Sequence, residues 1–235
     1  MTDKIKRGDF VEIDYVGKEK ESDIIFDTTK EDIAKKNNLY DQNVAYKPLI
    51  ICVGEKQILA GLDKNLEGKE ADKNYSFEIP SEEGFGKKNA KLLRIIPESV
   101  FKKQELKPYP GLQINVDGTI GTVKHAGGGR IIVDFNHPLS GKTLVYDVDV
   151  KKIITDKKEQ IKSFFDLIKI KDVDIDLNGD EAKIKLKMPL PDYIKESFSK
   201  KLQDLVKIKK VSFEADQVKT KTNKTQVNPI QSAPK

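Results

Sequence analysis

Three segments far apart in the chain alternate between apolar and polar residues, which is the pattern of strands with one buried face. In residues 7–16 the side chains from Val11 to Tyr15 alternate in this way, and residues 73–79 and 144–150 repeat it. We therefore expect a strand in each segment of a globular domain, with residues 144–150 as its closing strand.

The chain between the first two of these strands predicts one more strand and two short helices. The apolar run at 47–53 is typical of a buried strand. Thr28 and Glu31 have the spacing of a capping box, which favours a helix over 28–39. Residues 57–66 place their large aliphatic side chains on one helical face, so we expect a second helix there.

A segment with its own character, residues 87–139, interrupts this domain. It begins with an apolar stretch and continues with strand-like runs separated by glycines, including Gly127-Gly128-Gly129, which favours a hairpin turn. We expect a compact all-β domain inserted into a loop of the first domain. The first domain then consists of residues 1–86 and 140–155.

The hydrophobic period changes from two to that of a helix after the last strand of the first domain. Helices are predicted over 156–168 and 191–206, with a hairpin over 172–188 between them. Together they indicate a small α+β domain over 156–218. Residues 219–235 are polar and lysine-rich, and we expect them to be disordered.

Charge and composition narrow the classes of partner. The formal net charge is +5, and residues 219–235 contain four lysines and no acidic residue, so the rest of the chain is close to neutral. Nucleic-acid-binding domains usually carry a basic face of their own, which leaves binding through the basic tail as the open alternative. No apolar run reaches the roughly 20 residues of a membrane span, and residues 1–10 lack the apolar part of a signal peptide. The single cysteine suits a reducing compartment, so we expect a cytoplasmic protein without a membrane partner.

The inventory of chemistry-bearing residues is short. Two histidines, His125 and His137, and Cys52 are too few for a zinc site built from nitrogen and sulfur ligands, and we expect structural roles for both histidines. Residues 174–179 match the start of a calcium-binding EF-hand loop, but Lys185 stands where that loop needs a bidentate Glu. We therefore expect neither a metal nor a cofactor.

Several short motifs occur in a fixed order along the first domain. They are Tyr15, Phe26-Asp27, Gly54, residues 57–62, Glu67-Gly68, Gly84-Phe85-Gly86 and residues 144–148. In this order they resemble the FKBP fold of peptidyl-prolyl cis-trans isomerases. The insertion after Gly86, which closes with residues 136–142, resembles the insert-in-flap domain of the SlyD-like branch. The insertion after Asp27 and the additional C-terminal domain resemble the long archaeal-type members.

The resemblance implies an α+β half-barrel, in which an antiparallel sheet wraps around a short helix and leaves a shallow apolar pocket. The pocket residues implied by the motifs are Tyr15, Phe26, Asp27, Ile51, Ile58, Leu59, Leu62, Phe85 and Tyr146. Two of them depart from the commonest family pattern. Leu62 stands where many members have a Trp, and Phe85 stands where most have a Tyr whose hydroxyl donates to the substrate.

The reaction implied is rotation about an X–Pro amide, which has a barrier of about 18–20 kcal/mol and breaks no covalent bond. A dry apolar pocket disfavours the dipolar planar amide relative to the twisted one. The resemblance implies that Phe26, Leu62 and Tyr146 hold the prolyl ring. It implies further that the backbone N–H of Ile58 holds a substrate carbonyl and that Asp27 orients polar groups.

The family resemblance also suggests that the inserted domain holds unfolded or proline-containing polypeptides. The candidate residues are Leu92, Leu93, Ile95, Ile96, Val100 and Phe101, which alternatively form the core of that domain. Three alternatives stay open at this point. The first is a binding-only chaperone without isomerase activity. The second is nucleic-acid binding through residues 219–235, and the third is homodimer formation through the C-terminal domain.

Overall fold

The computed structural model describes residues 4–215 of the chain. These residues form two compact units that divide after Asp156. The strands are β1 (Phe10–Glu19), β2 (Ile25–Thr28), β3 (Leu49–Cys52), β4 (Lys73–Ile79), β5 (Leu93–Pro97), β6 (Gln113–Val116), β7 (Thr119–Gly127), β8 (Arg130–Asp134), β9 (Leu144–Ile154), β10 (Asp174–Asn178), β11 (Glu181–Leu186) and β12 (Lys210–Ala215). The helices are α1 (Glu31–Lys36), α2 (Ala60–Leu66), α3 (Glu98–Lys103), α4 (Lys157–Leu167) and α5 (Asp192–Val206).

A five-stranded antiparallel sheet organises the first unit. Strand β1 pairs along its whole length with β9, and β4 lies on the far side of β9. On its other side β1 pairs with β3 through its first half and with β2 through its second half. The result is a mixed α+β fold with an antiparallel sheet, as expected for an FKBP-like protein.

Helix α2 packs closely against this sheet and completes the core of the first unit. Leu62 and Leu66 of α2 are fully buried, together with Val11 and Ile13 of β1. A Cβ atom at Gly61 would lie 2.6 Å from the Cγ2 atom of Ile79. The missing side chain therefore allows the helix to approach β4.

Both short helices of the first unit are shorter than predicted. Helix α1 begins at Glu31 because Thr28 belongs to β2, where its hydroxyl donates to the Tyr15 carbonyl and accepts from the Lys30 N–H. Helix α2 begins at Ala60. The residues before it form a loop, because the Gln57 side chain accepts the N–H of Cys52 at 2.7 Å and links the loop to β3.

A second, four-stranded antiparallel sheet lies within residues 87–139, with the strand order β5-β8-β7-β6. Its core consists of Phe101, Val123, Ile131, Val133 and Phe135. The segment is not all-β as predicted, because it contains α3. This helix forms because its Phe101 side chain contributes to the core.

The second unit combines α4 and α5 with a three-stranded sheet in the order β10-β11-β12. Four rings form its aromatic core, and they belong to Phe164, Phe165, Phe198 and Phe213. The predicted hairpin over 172–188 is present as β10 and β11, and its turn is Gly179-Asp180, because Asn178 pairs with Glu181. Asp174 and Asp176, part of the apparent EF-hand motif, face lysines across this hairpin.

Two expectations concern other parts of the chain. The predicted disorder of 219–235 lies outside the described residues. Between residues 4 and 215, none of the helices has the length and apolar character needed to cross a membrane.

Candidate functional site

Four aromatic rings from distant parts of the sequence meet on the inner side of the first sheet. The ring of Tyr146 lies 5.7 Å from that of Tyr15 and 5.8 Å from that of Phe26, measured between centroids. The ring of Phe85 meets Phe26 edge-on at 6.4 Å. Edge-on contacts are favourable for aromatic pairs, so these rings form a stable apolar wall.

The register of β1 against β9 places two of these rings side by side. Tyr15 pairs with Val148 and Gly17 pairs with Tyr146, which puts both tyrosines on one face. A Cβ atom at Gly17 would lie 2.9 Å from the Tyr146 ring and 3.1 Å from the Phe26 ring. Gly17 therefore leaves the space that both rings occupy, which is a common reason for a glycine inside a strand.

Asp27 places a carboxylate at the edge of the aromatic wall. The Tyr15 hydroxyl donates to its Oδ2 atom at 2.9 Å. Asp27 is exposed as a whole residue, but the surrounding protein removes enough water from its carboxyl group to raise its pKa, against the lowering effect of the hydrogen bond from Tyr15. Burial and the nearby Asp27 charge raise the pKa of Tyr15, so its hydroxyl stays protonated as the donor.

Two threonines hold β2 against β1 and so fix Phe26 and Asp27. The Thr29 hydroxyl accepts the N–H of Tyr15 at 2.9 Å, and the Thr28 hydroxyl donates to the Tyr15 carbonyl at 2.9 Å. Both threonine side chains thereby add hydrogen bonds to the backbone pairing of the two strands. As a result, the Asp27 carboxylate and the Tyr15 hydroxyl that donates to it keep their relative positions.

The remaining predicted site residues lie in the loop before α2, in α2 and in β3. Ile58 and Leu59 are half-buried there, and Leu62 is buried one turn further on. Ile51 of β3 pairs with Val11, and the alternation of β1 puts it on the same face as Tyr15. Ring contacts and one hydrogen bond thus join the four rings and Asp27, whereas the aliphatic residues are located here by their element and their burial.

Comparisons with known proteins place this chain in a family. A family model described as "FKBP26, IF domain" matches residues 94–139. The short-type peptidyl-prolyl cis-trans isomerase of Methanocaldococcus jannaschii is 30% identical over 157 residues, which cover 65% of this chain and 96% of that relative. The chain belongs to the FKBP-type peptidyl-prolyl cis-trans isomerases.

Two further relatives of this family match the chain at similar identity. A probable FKBP-type 16 kDa peptidyl-prolyl cis-trans isomerase of Pseudomonas fluorescens is 33% identical over 108 residues, which are 44% of this chain and 71% of that relative. The FKBP-type isomerase SlyD of Haemophilus influenzae is 32% identical over 117 residues, 48% of this chain and 60% of SlyD.

Two residues that support the FKBP site were not predicted from the sequence. Asp63 is buried, and its carboxylate accepts the N–H groups of Gly54 and Lys56, both at 2.9 Å, which anchors the loop that leads to Ile58. The sequence signal for Asp63 is a charged residue on the apolar face of a short helix. The second such residue is Gly17, and its sequence signal is a glycine inside a predicted strand.

His137 was expected to be structural, and the structure places it against the site. Its ring stacks on Phe85 with centroids 4.3 Å apart. The only other histidine of the chain, His125, lies on β7 and is exposed.

The six candidate residues of the insert separate into three environments. Phe101 belongs to the core, and Leu92 and Ile96 pack against it, so these three are withdrawn from the surface that could bind a polypeptide. Leu93 and Ile95 are 46% and 62% exposed on β5. Val100 is 43% exposed on α3, whose neighbour Phe101 packs into the core.

Proposed function

We propose that the chain catalyses the cis-trans interconversion of X–Pro bonds in polypeptides at the site formed by Tyr15, Phe26, Asp27, Phe85 and Tyr146. The observation that carries this proposal is the set of four rings in contact around one hydrogen-bonded carboxylate. Such a wall offers an apolar surface for a prolyl ring. It also removes water from the amide that rotates.

Exclusion of water is sufficient for this chemistry. The planar amide is stabilised by resonance, which separates charge between oxygen and nitrogen, and this stabilisation is lost as the bond twists. An apolar site therefore raises the free energy of the planar form relative to the twisted form. Each 1.4 kcal/mol of such a difference, approximately, accelerates the rotation about tenfold.

The residue roles follow from position. We assign the prolyl ring to Phe26, Leu62 and Tyr146. The N–H of Ile58 makes no hydrogen bond to any residue from 4 to 215, so it is available to a substrate carbonyl. Asp27 orients polar groups through the charge that its partner Tyr15 helps to hold in place.

A proline-limited refolding assay tests the proposed activity. We expect Phe26→Ala and Asp27→Ala each to lower the catalysed refolding rate by tenfold or more. Asp32→Ala is the matched control, because Asp32 is an exposed carboxylate on α1. Unchanged refolding with folded Phe26→Ala and Asp27→Ala proteins would overturn the assignment of the site.

For the insert, we propose that residues 87–139 form a separate inserted domain that holds unfolded chains on the outer face of its sheet. We define this outer face by Leu93, Ile95 and Ile120, which are 46%, 62% and 63% exposed. The pairing of β5 with β8 and of β8 with β7 places them on the side opposite the core. An exposed apolar group of this kind usually marks a binding surface.

A groove of about 520 Å³ beside α3 offers a second surface on the insert, and it suits an unfolded chain less well. Four of the residues that line it are charged, namely Glu98, Lys102, Glu105 and Lys107. Leu106 lies among them. We therefore assign apolar client segments to the outer face.

Substitutions on the two surfaces separate these possibilities. We expect the double variant Leu93→Ser/Ile95→Ser to lower activity on a refolding protein at least fivefold and to leave tetrapeptide isomerisation unchanged. Val100→Ser and Leu106→Ser are the controls, since both residues are exposed on the insert but lie off the outer face. Equal loss on both substrates, or the same loss with the controls, would contradict the assignment.

A binding-only chaperone is the second candidate, and the same outer face favours it. It predicts that the chain suppresses aggregation of an unfolded protein while tetrapeptide isomerisation proceeds at the uncatalysed rate. Nucleic-acid binding through residues 219–235 concerns a part of the chain outside the described residues. Salt-sensitive binding to RNA or DNA that disappears when those residues are removed would support it.

For the second unit we propose self-association into a homodimer. A domain of about 60 residues buries a small core, and association adds to its stability. Met188 and Tyr193 are 56% and 72% exposed near the start of α5, and they are the side chains on which we base the contact. Light scattering of the full chain and of Met188→Ser/Tyr193→Ser tests this, because loss of a dimer mass is the expected result and an unchanged mass contradicts it. We also propose a cytoplasmic location, because the single cysteine, Cys52, leaves no intrachain disulfide, which suits a reducing compartment.

A further inference from the structure

The hydroxyl of Tyr146 is a polar group inside an apolar wall. Only 4% of the Tyr146 surface is exposed, and its hydroxyl makes no hydrogen bond to any residue from 4 to 215. In the same part of the chain, no side-chain nitrogen or oxygen atom that is fully sealed from solvent lacks a partner. The Tyr146 hydroxyl is therefore not sealed from solvent, and it belongs to a ring that contacts those of Tyr15 and Phe26.

Two other tyrosines of this sheet, Tyr15 and Tyr75, have hydroxyl groups with hydrogen-bond partners. The Tyr15 hydroxyl donates to Asp27 at 2.9 Å. The Tyr75 hydroxyl accepts the N–H of Glu70 at 2.9 Å and donates to the Glu70 carbonyl at 3.2 Å. A hydroxyl left without a partner in an apolar environment costs free energy, so a bound ligand that supplies an acceptor gains from Tyr146.

The charge state of the phenol fits the role of donor. Burial and the nearby Asp27 charge raise the pKa of Tyr146, so it keeps its proton at neutral pH. The rings of Tyr15 and Phe26, which contact the Tyr146 ring, both belong to the proposed substrate site.

An X–Pro amide offers two acceptors, and they change in opposite directions during rotation. The carbonyl oxygen loses negative charge as resonance is lost, so a donor to it would stabilise the planar form and slow the reaction. The nitrogen gains a localised lone pair in the twisted form and becomes an acceptor only there. A donor to the nitrogen therefore stabilises the transition state selectively, which raises the rate without tighter binding of the ground state.

We propose that the Tyr146 hydroxyl donates a hydrogen bond to the prolyl nitrogen of the bound substrate as the X–Pro amide twists. The residue is then a catalytic donor and not only part of the apolar wall. The assignment rests on the proposed isomerase function. Its distinctive feature is that the hydroxyl acts on the rate of rotation and the ring acts on binding.

Exchange spectroscopy on a proline-containing tetrapeptide measures the two effects separately. We expect Tyr146→Phe to lower the catalysed exchange rate at saturation about three- to tenfold, the range for one neutral hydrogen bond, and to leave the peptide dissociation constant within twofold. The unfolding midpoint of this variant should not fall, since the hydroxyl has no partner to lose. Tyr75→Phe is the matched control, because it removes a satisfied phenol hydroxyl, and it should keep full activity.

The outcomes distinguish the role of Tyr146 from the proposed isomerase function on which it rests. A wild-type chain that leaves the exchange at the uncatalysed rate overturns both proposals. An active wild type with an equally active Tyr146→Phe variant overturns only the role of Tyr146, and so does a variant that changes only the dissociation constant.

Discussion

The imidazole of His137 lies parallel to the ring of Phe85, with 4.3 Å between their centroids and 2° between their planes. The N–H of Leu139 donates to its Nδ1 atom at 3.2 Å, which fixes the orientation of the imidazole. The Ser140 hydroxyl donates to the carbonyl of Phe85 at 3.1 Å. The segment that returns from the insert thus supports the Phe85 side of the aromatic wall.

We expect His137→Ala to lower tetrapeptide isomerisation by about two- to tenfold, because a stacked pair of this kind contributes about 0.5–1.5 kcal/mol and its loss frees the Phe85 ring. His125→Ala is the control, since His125 is the exposed histidine of β7. Rates are compared in the tetrapeptide assay. Equal rates for His137→Ala and wild type would show that the stack does not position Phe85.

Acid should inactivate the enzyme through Asp27. If the ionised carboxylate takes part in catalysis, its raised pKa moves the loss of activity to a pH above the usual range of aspartate, which lies near 3.9. We expect a pH–rate profile with an acid limb in wild type. Asp27→Asn should have about a tenth of the activity at pH 7 and no acid limb, and an identical limb in both proteins would exclude Asp27 as its cause.

The same carboxylate should cost the fold stability at neutral pH. Because the pKa of Asp27 is raised in the folded state, the folded state binds the proton more tightly than the unfolded state, and stability falls as pH rises through the interval up to the folded-state pKa. We therefore expect the unfolding free energy of Asp27→Asn, relative to that of wild type, to be higher at pH 7 than at pH 4. Urea unfolding of both proteins at both pH values measures this difference. A difference that is larger at pH 4 would contradict the raised pKa of Asp27.

Gly17→Ala should damage the site more than the fold. Its methyl group would lie 2.9 Å from the Tyr146 ring and 3.1 Å from the Phe26 ring, so the rings must move. Overpacking of this kind costs about 1–3 kcal/mol, and we expect at least a tenfold loss of tetrapeptide activity in a protein that still folds. Gly127→Ala is the control, since its methyl would meet only the exposed His125 ring, at 3.3 Å. Full activity of Gly17→Ala would show that the rings tolerate displacement.

Asp63→Ala should loosen the loop that presents the N–H of Ile58. The buried carboxylate accepts two backbone N–H groups, and each hydrogen bond to a charged group contributes about 1.5–3 kcal/mol. We expect a loss of about 3 kcal/mol in urea unfolding and a lower affinity for tetrapeptides. Asp32→Ala, on the surface of α1, should change neither. Wild-type tetrapeptide affinity in a destabilised Asp63→Ala protein would show that the loop anchored by Asp63 does not contribute to substrate binding.

The strands of the site could be predicted from the sequence because alternation places side chains directly. The period of β1 puts Tyr15 on the inner face. The order of short motifs, which resembles that of the FKBP family, assigns Phe26, Asp27 and Tyr146 to one site. These residues touch in the structure because β1 pairs with both β2 and β9.

The supporting residues could not be predicted because their roles depend on where the chain returns. Asp63 anchors a loop whose path is not encoded in the helix pattern, and His137 meets Phe85 only because the insert returns beside Gly86. For Phe101 the sequence left open both polypeptide binding and the core of the insert, because the short helix α3 that turns it into the core has no clear period.

The most direct measurement of the central claim is exchange spectroscopy of a proline-containing tetrapeptide with catalytic amounts of the full chain, wild type and Phe26→Ala. The aromatic wall predicts that wild type accelerates interconversion in proportion to its concentration and that Phe26→Ala loses at least nine-tenths of this acceleration. An interconversion rate that stays at the uncatalysed value with folded wild-type protein would contradict the account.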